Sequence, residues 1–361
     1  MRVASPTGRL LAGTLFGAIT SMIVVMVLGM RATDPTHRLV PEDASGQLRR
    51  IAIHYVPAMD HRILPVWKQL FAILPADVDV VVVVQRAEDF DRFTRQFAGR
   101  QFKPVVLGHS LTTWSRDRLA ALDNDAVLAP PRVSVGSGPR AGDWEVPFAI
   151  ARDIYDAKPA VSELVFEGGD LAASTSYVFA DVNLIGRNLG RGDASRAYLE
   201  RSLQRTFSQD VIWLGNNPGD VPEHHIMMYT VPLDDRRMLV GDVRLGKRLA
   251  PDAVADPAFE QHAARFDRVA IELISRGFTV ARVPVVVLPG AGSYVTYTNA
   301  LFDRDAAGPV VYLPTYRMRT LDRAAADLYT ELGYRVVPID VSTMFTLNGS
   351  LGCLVNVLAR D

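Results

Sequence analysis

Cysteine is almost absent from this chain: Cys353 is the only one in 361 residues. An internal disulfide is therefore impossible, and a zinc site built on several thiolates is excluded. Net charge is equally scarce. Lys and Arg total 39 against 40 Asp and Glu, a net charge of −1, which is not the footprint of a nucleic-acid binder. The sequence has no P-loop, no H-E-x-x-H and no G-x-S-x-G. The strand-like run Val78–Val84 leads into Gln85-Arg86-Ala87-Glu88 without a glycine-rich turn, which removes a dinucleotide-binding reading. Pro289-Gly290-Ala291-Gly292-Ser293 is glycine-rich, but strand-like rather than helical sequence follows it. With 48% hydrophobic and 22% charged residues, the chain is neither mostly disordered nor a multi-span membrane protein.

Long apolar runs are lacking with one exception. Leu10–Met30 is 21 residues without a charge. At ~1.5 Å per helical residue it is long enough for a ~30 Å hydrocarbon core. Its length and the lack of an A-x-A-like site after Met30 favour an uncleaved single-pass anchor over a signal peptide, the alternative reading. Only residues 1–9 precede it, so the large C-terminal part is expected on the extracytoplasmic side. Residues 31–50, with Pro35, Pro41, Ser45 and Gly46 among charges, read as a linker. Residues 51–361 read as one α/β domain. Strands are expected at Ile51–Val56, Val78–Val84, Leu164–Phe166, Tyr177–Ala180, Val211–Leu214, Ile226–Val231, Val283–Leu288, Val310–Leu313 and Tyr334–Ile339. Helices are expected at about 194–206 and 259–276, and on the face Met318, Leu321, Ala325, Leu328, Leu332, ended by Gly333.

Four separated stretches hold the candidate chemistry: Trp114-Ser115-Arg116-Asp117; Phe166-Glu167-Gly168-Gly169-Asp170; His224-His225-Ile226-Met227; and Asn348-Gly349-Ser350-Leu351-Gly352-Cys353. Each has an ordinary reading alone. Arg beside Asp is a surface ion pair, Glu-Gly-Gly-Asp a turn that uses glycine's access to φ > 0, and a lone Cys a small buried hydrophobe. Adjacent histidines on a strand point to opposite faces, so only one addresses a given site. Together the stretches supply carboxylates, a histidine and a thiol, which suits nucleophilic attack on a cationic, planar group.

Their order, W-x-R-D, E-G-G-D, His, then a glycine-flanked Cys, resembles the pentein superfamily of guanidino-group-modifying enzymes. Its members include agmatine, arginine and peptidylarginine deiminases, dimethylargininase and amidinotransferases. Pro232-Leu233-Asp234-Asp235-Arg236, Leu239-Val240-Gly241-Asp242, Tyr297-Thr298-Asn299-Ala300-Leu301 and Leu332-Gly333-Tyr334-Arg335-Val336 extend the resemblance. It implies a five-fold α/β propeller of ββαβ-type units with the site at the centre. It also implies Cys353 as nucleophile, His225 as acid/base, Glu167 as guanidinium and histidine holder, and Asp117 as a guanidinium-binding acid, with Trp114 and Arg116 beside it at the substrate. Neither a metal nor a cofactor is implied. The expected partner is a small guanidino or amidino compound or an arginine side chain, with no nucleic acid. A non-catalytic binding protein and an amidinotransferase are the alternatives. Two positions depart from the family pattern. Met227 stands where His-x-Asp has its Asp; on a strand it would share a face with His225. Gly352 stands where agmatine-type members often have a His before the Cys.

Overall fold

Five consecutive valines, Val80–Val84, are all buried in the strand Asp79–Val84. A strand apolar on both faces is stable only inside a sheet covered on both sides. It pairs in parallel with Leu48–His54 on one edge and Lys103–Val106 on the other. The computed structural model describes residues 37–132, 140, 142–252, 256–288 and 293–361. In chain order the strands are β1 (Leu48–His54), β2 (Asp79–Val84), β3 (Lys103–Val106), β4 (Ala120–Leu122), β5 (Ala126–Ala129), β6 (Ala160–Val161), β7 (Ala172–Ala173), β8 (Tyr177–Asp181), β9 (Asp210–Leu214), β10 (Thr230–Pro232), β11 (Arg237–Asp242), β12 (Thr279–Leu288), β13 (Ser293–Thr296), β14 (Leu301–Asp305), β15 (Gly308–Thr315), β16 (Arg335–Asp340) and β17 (Val355–Arg360).

Among the described residues these form five separate sheets of one plan. In each, an antiparallel pair is followed by a parallel neighbour: β4-β5-β6, β7-β8-β9, β10-β11-β12 and β14-β15-β16. β13 adds an antiparallel edge to the third of these. In the remaining sheet the antiparallel partner of β1 is β17, the last strand of the chain, with Ile51 opposite Val357 and Ile53 opposite Val355. Parallel neighbours require a crossover. Helices supply it: Asp60–Ile73 between β1 and β2, Val146–Tyr155 between β5 and β6, Arg196–Thr206 between β8 and β9, Phe259–Ser275 between β11 and β12, and Arg319–Glu331 between β15 and β16. The last two and Arg196–Thr206 fall where the apolar spacing places them. The last is closed by Gly333 at φ +90°, a conformation that favours glycine.

Three expectations fail for identifiable reasons. Residues 37–50 are not a free linker. Leu39, Val40, Ala44 and Leu48 are buried, and the segment bonds across two sheets, Val40 N–H to the Ala121 carbonyl at 3.0 Å and Glu42 N–H to the Ala173 carbonyl at 2.8 Å. Leu164–Phe166 is not a strand, because the Asn188 side-chain amide takes both backbone groups of Val165, at 3.0 and 2.9 Å. Ile226–Val231 is interrupted: Ile226–Met228 is a 3-10 turn and only Thr230–Pro232 is extended. The apolar run 10–30 lies outside the described residues; among those described, no helix is long and apolar enough to cross a membrane.

Shortening the chain to begin at Gln47 rather than His37 should therefore lower unfolding free energy by about 3–5 kcal/mol, from lost burial of Leu39 and Val40 and an unpaired Arg116, whose buried partner is Glu42. Urea unfolding of the two lengths measures this; equal midpoints would restore the linker reading.

Candidate active site

The candidate residues occupy the same place in successive units, immediately before the first strand of a sheet. Asp117 lies in the 3-10 turn Ser115–Arg118 ahead of β4. Glu167 opens the turn Gly168–Asp170 ahead of β7. His225 opens Ile226–Met228 ahead of β10, Asn299 stands just before β14, and Cys353 lies in the short helix Leu351–Leu354 ahead of β17. The Cys353 helix packs on the Asp117 turn, that turn on the Glu167 turn, and that one on the His225 turn. Repetition of one local plan thus brings together residues up to 236 positions apart in the chain (117 to 353).

The glycines of Glu-Gly-Gly-Asp serve this contact, not a reversed turn, since neither takes a positive φ. A Cβ on Gly168 would lie 2.2 Å from the carbonyl oxygens of Arg116 and Leu119, and one on Gly169 would lie 2.5 Å from the His225 ring. One glycine admits the Asp117 turn and the next admits the imidazole. At the other end, a Cβ on Gly349 would strike the Trp114 ring at 2.3 Å, and one on Gly352 would lie 2.9 Å from Asn299 Oδ1. No larger residue fits at 352 without a shift of Asn299, which accounts for the glycine at that departure from the family pattern.

His225 Nε2 is 2.8 Å from Glu167 Oε2. Its buried Nδ1 has no hydrogen-bond partner and lies 3.7 Å from Asp117 Oδ1. Burial by itself disfavours the imidazolium, but Asp117, the Cys353 thiol, Glu167 and Asp170 outweigh it and raise the His225 pKa well above 6.5. Burial would likewise raise Glu167; the His225 hydrogen bond and the Arg187 and Arg118 charges instead hold its carboxyl far below the usual range. Asp117 is raised, chiefly by burial. Three guanidinium groups accompany these acids. Arg187 bonds Glu167 Oε2 at 2.8 Å and Asp170 Oδ2 at 2.5 Å. Arg118 lies 3.1 Å from Asp143 Oδ2. Arg140 Nη2 donates to Asp117 Oδ2 at 2.9 Å and Glu167 Oε1 at 3.2 Å. Asp117, Glu167 and His225 also offer three metal-ligand atoms within 4.8 Å of one another. A metal there would compete with guanidinium charge already placed against both carboxylates, so the donor set favours an organic cation.

The cysteine turn is clamped by Asn299, whose Oδ1 accepts the Cys353 N–H at 3.0 Å and whose carbonyl accepts the Gly352 N–H at 3.1 Å. Cys353 Sγ lies 3.9 Å from Met228 Sδ. His224 joins the histidine turn to the cysteine segment. Its Nδ1 accepts the His225 backbone N–H at 2.8 Å, so its Nε2 carries the proton and donates to the Asn348 carbonyl at 3.1 Å. Burial and the neighbouring His225 charge lower its pKa to about 4. Both histidines line one cavity of about 700 Å³ with Asp117, Glu167, Trp114 and Cys353.

Two candidate residues lie elsewhere. Arg116 is buried behind the site, paired with Glu42 and bonded to the Leu171 carbonyl at 2.9 Å; it holds chain segments, not substrate. Met227 is buried, away from the cavity lining. Because His225 opens a 3-10 turn, residues 225 and 227 do not share a face as they would on a strand, and Met228 reaches the thiol instead. The two histidines escape the opposite-faces rule for the same reason. Arg140, Arg187, Asp170, Asn299 and His224 were not singled out as site residues by the sequence. Asp170 stood in the motif and Asn299 in the extended resemblance, but no sequence signal distinguishes the two arginines from the other 33 in the chain.

Two outcomes follow. Met227→Asp should cost about 3 kcal/mol or more in a denaturant titration, as an unpaired buried carboxylate, without tightening agmatine binding by calorimetry. Glu167→Gln should lower the His225 pKa, read by NMR, because burial then meets less opposition. The His225 contribution to stability is complete below pH 6.5 and lost as pH rises through its higher folded value. The Glu167 contribution is complete above pH 4.5 and lost as pH falls toward its lower one. The pair therefore stabilises most between these limits, and this pH dependence should flatten in the Gln variant.

A family model of the Porphyromonas-type peptidyl-arginine deiminases matches residues 55–357. Among solved structures, a substrate-bound agmatine deiminase of C. jejuni, in a cysteine-to-serine variant, is similar over 89% of this chain and 96% of its own, with TM-score 0.68 and 17% identity. An agmatine deiminase of Enterococcus faecalis is similar over 89% and 95%, with TM-score 0.65 and 15% identity. Comparison with curated proteins gives no match. The extent of the family match decides the assignment: this chain belongs to the Porphyromonas-type peptidyl-arginine deiminase family of the pentein superfamily, whose deiminases are hydrolases acting on the carbon–nitrogen bonds of guanidino groups.

Proposed function

We propose that the chain is a deiminase-like hydrolase in which Cys353 is the nucleophile, His225 the acid/base, and Glu167 and Asp117 the guanidinium grip. The observation that carries this reading is the meeting of the sole cysteine with His225, Glu167 and Asp117 at one cavity, each delivered from a different sheet. Cys353 loses its S–H proton to water as its sulfur bonds the central guanidinium carbon, forming a neutral tetrahedral adduct. His225, with Nε2 held by Glu167, uses its unpartnered Nδ1 to give a proton to the departing ammonia or amine. The C–N bond breaks and a thiouronium remains on Cys353. Water adds to that carbon, gives its proton to the imidazole, and the C–S bond breaks to leave a urea and the free thiol. Carboxylates suit the substrate because a guanidinium offers planar N–H donors for charge-assisted bonds. The closed five-fold propeller is the arrangement that fits the five repeated sheets. On the sequence alone, we also propose that residues 10–30 anchor the domain at a membrane, on the extracytoplasmic side.

Cys353→Ser should abolish guanidine hydrolysis while changing unfolding free energy by no more than about 1 kcal/mol. Ammonia release from agmatine and from arginyl peptides, measured beside thermal melting, tests both halves. Undiminished hydrolysis in the Ser variant would end the nucleophile assignment; a matched loss of stability would make Cys353 a packing residue.

A further inference from the structure

The two carboxylates assigned to the substrate cation already hold a cation from the chain itself. Arg140 Nη2 reaches both Asp117 and Glu167, at 2.9 and 3.2 Å, and lines the same cavity as Cys353. We propose that Arg140 is a specificity-determining residue, a tethered guanidinium that occupies the cation grip and that a substrate must displace. The inference rests on the guanidino reading above.

Three properties separate Arg140 from the other two arginines beside these acids. Arg118 is largely buried, with 14% of its side chain exposed, against 45% for Arg140. Arg187 is fixed at two points, Glu167 and Asp170, at 2.8 and 2.5 Å. Both Arg140 contacts run through a single terminal nitrogen, so one rotation of an exposed side chain releases both. The half-exposed Arg140 guanidinium keeps access to water, so it leaves its enclosed carboxylate partners at less cost than a buried cation would. Arg118 and Arg187 are thus permanent counter-charges, and Arg140 is the exchangeable one. A fourth guanidinium added while Arg140 stays would crowd two carboxylates that already face three. The consequence is selective. A small guanidine must win Asp117 and Glu167 from Arg140 with its cation alone. A larger one, such as an arginine side chain on a peptide, has further contacts in the remaining cavity with which to offset the exchange.

The test measures cation recognition without needing the natural substrate. The full chain, in detergent, is alkylated at Cys353 with 2-chloroacetamidine and, separately, with the neutral 2-chloroacetamide, at pH 7 and fixed salt. The ratio of the two rates cancels changes in intrinsic thiol reactivity. In Arg140→Gln the ratio should rise about 10-fold, the size of one freed charge-assisted hydrogen bond, while Arg140→Lys, which keeps the positive charge, should rise less. Melting curves check that both variants fold. An unchanged ratio in Arg140→Gln, with amidine preferred in both proteins, overturns the proposal and leaves the hydrolase reading standing. A lower ratio overturns it too, since Arg140 would then assist the ligand. If neither protein prefers the amidine although the amide labels Cys353, the cation grip itself is absent, and the hydrolase reading falls together with this inference.

Discussion

The antiparallel pairing of the last strand with the first is the constraint on which the site depends. Cys353 stands two residues before β17, and among the described residues β17 has no strand partner other than β1. That pairing carries the end of the chain back to the Asp117 turn, which lies between β3 and β4 in sequence. Closing a loop of roughly 300 residues costs little more than closing one half as long, because loop-closure entropy grows logarithmically. The cost is offset by apolar side chains: Ile51, Ile53, Val355 and Val357 are all buried at this seam. Arg360 secures its end by bonding the carbonyls of Pro41, Gly46 and Phe302 at 2.8, 3.1 and 2.9 Å. The early segment 37–46 is therefore part of what places the cysteine, although it contributes nothing to the cavity.

Around the site the governing quantity is charge out of water. Burial pushes Asp117 toward its neutral form and, acting alone, would do the same to Glu167 and discharge His225. Mutual compensation reverses this for two of the three. Glu167 stays ionised because imidazole and guanidinium groups surround it, and His225 keeps its proton because carboxylates do. Removing one member would leave the others uncompensated, which is why breaking a buried charged cluster costs more than its net contribution suggests. Charges fixed before a ligand arrives need no reorganisation during reaction. Arg187 and Arg118 are part of that fixed arrangement, and they moderate a pocket that would otherwise be strongly acidic.

Close packing of turns sets the residue types at the junctions. Gly168, Gly169, Gly349 and Gly352 each occupy a point where a neighbouring segment fills the space a side chain would need. At 352 the space belongs to Asn299, so the departure from the family pattern and the Asn299 clamp on Cys353 are one feature. At 227 the family's aspartate place holds an apolar residue that is packed away, while its carbonyl accepts from Thr298 Oγ1 at 2.8 Å and ties the histidine turn to the Asn299 segment.

Much of this was legible in the sequence. Val80–Val84, the helix ended by Gly333 and the helix Phe259–Ser275 follow from local pattern, because strand and helix periodicity are written in neighbouring residues. The order of short motifs, through the family resemblance, singled out Cys353, His225, Glu167 and Asp117, and the fold brings these four to one cavity. What the sequence misplaced depends on partners distant in the chain. Residues 37–50 look like a linker until two sheets supply their hydrogen bonds, and Leu164–Phe166 looks like a strand until Asn188 takes its backbone. Met227 and Met228 exchange roles because a single turn at His225 replaces a strand. Arg140 and Arg187 carry no local mark at all: a surface arginine and one that meets a buried carboxylate have the same letter and similar flanks. Which carboxylate an arginine meets is decided by the packing of separate sheets, since the Coulomb interaction depends on distance in space and on the water excluded between the groups, not on separation along the chain.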